Sequence, residues 1–286
     1  QIDDEFGEFI GLSVLKFINK NNLCKPDLIS SHGHTVFHEP KFKKTLQIGS
    51  GEIINKITKV KTINNFREQD IELGGQGAPL VPIGDKLLFN DYKYCLNLGG
   101  FTNISVKDSS TIFAYDICPL NTVLNHYANK LGYECDIDGK LSKKGIINID
   151  LLNELNNLDY YKKSYPKSLG LEFVIKKIFP ITEKHKIKEV DILATYIKHA
   201  CFQIKRNIDE GSKVFLTGGG TFNKNLIKAL NHDSKINFIV PDKTIINYKE
   251  SLIFALLGYL KIKDKVNCLS SVTGASIDHS SGDIYG

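Results

Sequence analysis

Asn65–Pro82 reads NFREQDIELGGQGAPLVP and, after a short spacer, Cys95–Ser105 reads CLNLGGFTNIS. Two glycine-rich turns are thus interleaved with a single arginine and a pair of strands. Tyr94–Leu98 is an apolar strand, Gly99-Gly100 is a turn without Cβ atoms, and Thr102–Val106 is the returning strand. A strand–turn–strand of this kind lets main-chain N–H groups approach a phosphate closely. A Gly-Gly hairpin can equally be a plain turn, so the assignment rests on what accompanies it.

Two further elements do so. Lys213–Thr217 (KVFLT) is a buried-strand run that enters Gly218-Gly219-Gly220, and Asn223 lies at the start of the amphipathic segment KNLIKAL. Strand, glycine turn and helix N-terminus follow one another, which is a second anion-binding arrangement. Between the two turns lies Asp116 in FAYDICPLN, at the end of a strand and before a helix opened by Pro119. A carboxylate between two phosphate-type turns is what phosphoryl transfer to a sugar hydroxyl needs. Arg67 stands out by rarity: two of the 37 basic residues are arginine, at 67 and 206. Where a generic charge served, lysine was used, so an arginine points to planar, bidentate recognition.

Composition narrows the class. With 286 residues and 42% hydrophobic content the chain can bury one large core or two moderate ones, and two lobes fit the usual domain size better. A net charge of +5, with lysines scattered rather than striped, gives no nucleic-acid signature. No apolar run reaches membrane-spanning length, and QIDDEFGEF has neither the basic start nor the apolar core of a signal peptide. Six cysteines without a CxxC pair read as reduced thiols, and the expected location is the cytoplasm. Cys118 reads as a buried space-filling thiol rather than a nucleophile. His32, His34 and His38 form H-x-H-x₃-H, which can be read as metal ligands or, for His32, as part of an active-site loop; no metal ligand set is assigned.

The motifs together resemble the anhydro-N-acetylmuramic acid kinases of bacterial cell-wall recycling. The matching pieces are Ser31-His32-Gly33-His34-Thr35, Gln47-Ile48-Gly49, Phe66-Arg67, Gly74–Pro82, Leu96–Gly100 with Asn103-Ile104-Ser105, Pro166-Lys167-Ser168, Gly218–Gly220, Glu250 in ESLIFA, and Val272–Ser276. They fall in the family's order along nearly the whole chain. The resemblance implies a two-lobed α/β fold of the actin-like sugar-kinase class, with a first lobe over 1–92 and a second over 93–286 whose last helix returns to the first. It implies an ATP- and Mg²⁺-dependent kinase that opens the 1,6-anhydro bridge with water and phosphorylates O6. Small-molecule sugar and ATP are then the partners, with a homodimer left open. By position Asp116 is the candidate catalytic base. Arg67, Asn121, Glu250 and His32 are candidates for the sugar, and Gly99, Gly100, Asn103, Gly218, Gly219, Gly220 and Asn223 for the nucleotide. Glu250 also reads as an acid heading an apolar helix.

Two departures set expectations. Family members open with a phosphate-binding hairpin upstream of the SHG motif, whereas this sequence starts at Gln1 and contains no methionine. It is therefore expected to be N-terminally incomplete and inactive by itself. The commoner catalytic turn is Asp-Thr-Gly-Pro-Gly-Asn, and this chain has Asp116-Ile117-Cys118-Pro119-Leu120-Asn121. A sugar-binding homologue without catalysis and a same-fold kinase for an ordinary amino sugar stay open as alternatives.

Overall fold

The computed structural model describes residues 1–109 and 111–286. The chain begins with α1 (Ile2–Lys20), β1 (Leu28–Ser30), β2 (His34–Glu39), β3 (Lys44–Ile48), α2 (Gly51–Thr58), β4 (Lys61–Asn64), α3 (Glu68–Glu72) and α4 (Pro82–Leu88). It continues through β5 (Tyr94–Leu98), β6 (Phe101–Asp108), β7 (Thr111–Pro119), α5 (Asn121–Lys130), α6 (Ile149–Asn156), α7 (Leu171–Phe173), α8 (Phe179–Lys184), α9 (Glu189–Lys205), β8 (Lys213–Thr217), α10 (Lys224–Asn231) and β9 (Asn237–Ile239). It ends with α11 (Lys243–Ile262), α12 (Ser270–Thr273) and β10 (Asp283–Tyr285).

These elements form two compact units, Gln1–Leu88 with Glu250–Gly286 (unit 1) and Phe89–Lys249 (unit 2). The division departs from lobes over 1–92 and 93–286, because the whole of Glu250–Gly286 groups with the first unit. The reason is physical. β10 pairs antiparallel with β4, and Ile253, Leu257, Leu260 and Cys268 share one core with Ile63, Phe66, Leu80 and Ile83.

Unit 1 has a three-stranded sheet of order β1-β4-β10 and a separate β2-β3 hairpin. Its opening helix packs through glycine rather than through its aromatic residues. Gly7 and Gly11 are the residues α1 buries, and a Cβ at Gly7 would come within 2.9 Å of the Ser50 carbonyl oxygen. Phe9 and Phe17 remain 63% and 61% exposed.

Unit 2 is built on a five-stranded sheet of order β7-β6-β5-β8-β9. β5, β6 and β7 form an antiparallel meander, while β5, β8 and β9 run parallel. Tyr94, Cys95, Leu96 and Leu98 of β5 are all buried, as a strand covered on both faces requires. One core runs from Leu96, Leu98, Ile104 and Leu216 on the sheet to Leu124, Tyr196 and Ile197 on α5 and α9.

Several local expectations shift. Pro119 closes β7 instead of opening the next helix, which starts at Asn121. Thr182, beside the charged stretch Glu183–Lys188, sits in α8, is fully buried and shares a hydrogen bond with the Tyr127 hydroxyl. α11 begins at Lys243, seven residues before Glu250, because the Asp242 carboxylate accepts from the N–H groups of Thr244 (2.8 Å) and Ile245 (3.1 Å).

Leu96 is fully buried on the strand between both halves of the unit 2 sheet. Leu96→Ala is expected to cost about 2–5 kcal/mol, read from urea unfolding. A loss below about 1 kcal/mol would contradict this placement of the core.

Candidate active site

A row of polar side chains crosses the unit 2 sheet. Thr217 of β8 stands opposite Asn97 of β5, Asn97 opposite Asn103 of β6, and Asn103 opposite Asp116 of β7. Directly paired residues share a face, so these four side chains line one side of the sheet. The last pairing depends on an irregularity. Thr102 pairs with Cys118 and Asn103 with Asp116, which leaves Ile117 as an extra residue on β7. A bulge of this kind re-aims the following side chains, and here it sets Asp116 beside Asn103.

Asp116 is held from both ends. Its N–H donates to the Lys167 carbonyl (3.3 Å), its carbonyl accepts from the Tyr160 hydroxyl (2.6 Å), and Oδ2 accepts from the Leu169 N–H (2.8 Å). Burial raises the carboxyl pKa, and the bond from Leu169 opposes that rise. A half-buried carboxyl poised above its ordinary value is a better proton acceptor than a solvated one.

The two glycine turns meet at the ends of the parallel strands β5 and β8. Gly218 has φ +85°, and a Cβ there would lie 2.3 Å from Asn97 Oδ1 and 2.8 Å from the Leu98 carbonyl carbon. A Cβ at Gly220 would lie 2.8 Å from Leu98 Cβ. Gly100 and Gly219 are exposed, so two bare backbones lie open where parallel strands end, a favoured ligand position in α/β sheets. Asn121 Nδ2 donates to the Leu98 carbonyl (3.0 Å), and the backbone N–H groups of Leu120 and Asn121 donate to Gly100 and Gly99. Asn223 caps α10, its side chain accepting from the Leu226 N–H (3.0 Å). Of the two asparagines expected as ligand contacts, Asn121 thus braces the turn after β5 and Asn223 caps α10.

Ile117, Cys118 and Leu120 point into the unit 2 core, at 1%, 0% and 0% exposure. The departure from the commoner catalytic turn therefore fills the interior and leaves Asp116 and Asn121 on the other side. Burial pushes the Cys118 thiol up to about 12, which fits a space-filling role.

Unit 1 holds a pocket of about 560 Å³ lined by residues that include His32, Arg67, Pro79, Glu250 and Phe254. Arg67 stands just before α3. Its Nε and Nη2 lie 3.0 and 2.8 Å from His32 Nε2, and its Nη1 donates to the Gly77 carbonyl (2.5 Å). His32 Nδ1 faces the Gly33 carbonyl (3.1 Å), so the ring is the neutral Nδ1–H tautomer, donating to Gly33 and accepting from Arg67. Its pKa is lowered first by burial and next by the Arg67 charge. Glu250 is exposed and lies well inside α11, so it does not head the helix; Asp242 does that. Its carboxylate acts to raise the Arg67 pKa against the effect of burial.

Asn97 and Thr217 were not singled out by sequence. The available signal was Asn97 itself, a lone amide inside the apolar run before Gly99.

Residues 1–286 match the family described as "Anhydro-N-acetylmuramic acid kinase". The chain belongs to the anhydro-N-acetylmuramic acid kinase family. It is similar to the anhydro-N-acetylmuramic acid kinases of Aliivibrio fischeri, with 32% identity over 100% of this chain and 83% of that protein, and of Caldanaerobacter subterraneus, with 31% identity over 94% and 76%. The Haemophilus influenzae relative is 29% identical over 100% and 82%. A solved activator of 2-hydroxyisocaproyl-CoA dehydratase from Clostridium difficile aligns at 14% identity over 77% of this chain and 86% of its own, with a TM-score of 0.39. Membership in the kinase family carries the actin-like sugar-kinase fold and the enzyme class, a phosphotransferase with an alcohol acceptor that uses ATP.

The close approach at Gly218 gives a test. Gly218→Ala should weaken binding of ATP at least tenfold in calorimetry, because the new Cβ meets backbone and Asn97. Unchanged affinity would remove this turn from the nucleotide site.

Proposed function

We propose that this chain converts 1,6-anhydro-N-acetylmuramic acid, water and ATP into the ring-opened sugar 6-phosphate and ADP, within peptidoglycan recycling in the cytoplasm. Family membership supports the reaction. The observation that carries the residue assignment is the row Thr217–Asn97–Asn103–Asp116, which puts one carboxylate in register with the two glycine turns.

Asp116 is the base. Water attacks the anomeric carbon and gives its proton to the Asp116 carboxylate, while the bond from the anomeric carbon to O6 breaks. O6 attacks the γ-phosphorus of ATP, and the β,γ-bridging oxygen leaves with ADP. The backbones at Gly99-Gly100 and Gly218–Gly220 receive the phosphates, where oriented N–H groups offset negative charge.

Mg²⁺ takes hard oxygen ligands, and the side chains of Asp116, Asn97, Asn103 and Thr217 are of that kind, so the row fits such an ion on the nucleotide phosphates. When bound it would neutralise charge that develops on the transferring group.

In unit 1, Arg67 and Glu250 contact the sugar. His32 keeps the guanidinium in place by accepting from it, and Gly77 fixes its other arm. The lactyl carboxylate and hydroxyls of the sugar suit a guanidinium beside an exposed carboxylate.

Asp116→Asn should lower kcat at least about a hundredfold with a small change in KM, since an amide cannot take the proton. A near-normal rate in a folded variant would exclude the assigned role. With the native enzyme, the acid limb of the pH–rate profile should lie above the ordinary aspartate value, because burial raises the Asp116 pKa and only the ionised form is a base. A limb at or below that value would contradict the assignment. Arg67→Lys removes the forked contacts to His32 and Gly77 while keeping charge. The KM for the sugar should rise roughly tenfold, with that for ATP within a few-fold. The reverse pattern would place Arg67 with the nucleotide.

A further inference from the structure

Cys268 and His279 face each other across an isolated antiparallel bridge and exchange both backbone hydrogen bonds, each 3.1 Å long. Their side chains therefore leave the backbone on one side. Both meet Asp70 of α3, which has no exposed surface. Cys268 Sγ lies 3.1 Å and His279 Nε2 3.6 Å from Asp70 Oδ1, and the three potential ligand atoms all fall within 4.8 Å of one another. A tetrahedral ion bound at zinc-type distances spaces its N, O and S ligands about 3.3–3.5 Å apart. Little adjustment separates this arrangement from a coordination shell.

The histidine supplies an independent sign. Its Nδ1 faces the Ile277 carbonyl at 3.2 Å, which assigns the ring proton to Nδ1 and leaves the lone pair on Nε2. That Nε2 is buried without a hydrogen-bond partner, in a residue 6% exposed, and is aimed at a carboxylate oxygen. Two lone pairs facing each other out of water repel unless a cation or a proton lies between them. Metal-binding histidines use their second nitrogen in this way, against a backbone carbonyl. Thr273 Oγ1 also donates to Asp70 Oδ1 (2.6 Å), and the Gly77 N–H donates to Oδ2 (2.6 Å), so the carboxylate is oriented as well.

We propose that Asp70, Cys268 and His279 bind a zinc-class divalent cation in the interior of unit 1. Thiolate, carboxylate and neutral imidazole balance a 2+ charge, and the donor set is one that zinc and cobalt accept while magnesium does not. On binding, the Cys268 thiol releases its proton to solvent and its sulfur forms the metal bond. The role is structural: Asp70 Oδ2 holds the Gly77 N–H, and the Gly77 carbonyl holds Arg67. His32 and His38 take no part, since His32 is bonded to Arg67 and His38 to Thr45 Oγ1.

Cobalt is the probe. Protein stripped by chelator and titrated with Co²⁺ should develop a thiolate-to-cobalt charge-transfer band that saturates at one equivalent and is displaced by Zn²⁺. Cys268→Ser should abolish the band, and His38→Gln should leave it intact. Absence of the band in the native sequence overturns the proposal in favour of an imidazolium–carboxylate pair without metal, and its survival in Cys268→Ser overturns it in favour of cobalt held by another thiolate. If stripping unfolds the protein, elemental analysis of the purified native chain decides: about one zinc per chain supports the site, and essentially none overturns it.

Discussion

The end of β8 passes so close to the end of β5 that Gly218 and Gly220 leave no space for a Cβ against Asn97 and Leu98. This contact constrains the rest of unit 2. It brings both glycine turns together at the same end of two interior strands, and it requires that β5 and β8 be parallel neighbours. Because the strands are in register, Thr217 falls opposite Asn97, and the antiparallel meander carries the polar row on to Asn103 and Asp116. The buried side chains on the strands anchor that register. A one-residue slip would turn the row into the core.

Unit 1 solves a different problem, that of holding an arginine still beside a pocket. A guanidinium in a half-buried place needs acceptors, and here a neutral imidazole and a backbone carbonyl supply them. The carbonyl belongs to Gly77, whose own N–H is fixed by Asp70. Asp70 is in turn met by donors from the last part of the chain, the hydroxyl of Thr273 and the thiol of Cys268. Residues near the C-terminus thereby set the position of a side chain some two hundred positions earlier.

Much of this was legible from the sequence because local pattern and tertiary role agreed. The runs at Tyr94–Leu98 and Lys213–Thr217 are apolar and end in glycines, so strand and turn could be read together. Arg67 was legible by its rarity. Other parts were hidden where tertiary contacts overrode local composition. Asp70 sits in the charged stretch EQDIE, yet it is fully buried. Thr182 lies beside a run of charges and is buried under Tyr127. β-branched residues at Thr244–Ile246 weaken the helical signal at the start of α11, where the Asp242 cap restores it. The bulge at Ile117 is a pairing property and leaves no mark in the alternation of β7 alone. Asn121 and Asn223 were expected as ligand contacts, and their bonds to Leu98 and Leu226 give them bracing and capping tasks that spacing cannot reveal.

The central claim is that the two glycine turns act as one nucleotide-binding surface. Amide hydrogen exchange, followed by mass spectrometry with and without a non-hydrolysable ATP analogue, tests it directly. The account predicts that peptides covering Leu98–Asn103 and Gly218–Asn223 gain protection together and at the same analogue concentration. Protection of one turn without the other, or of neither while the analogue is bound, would contradict it.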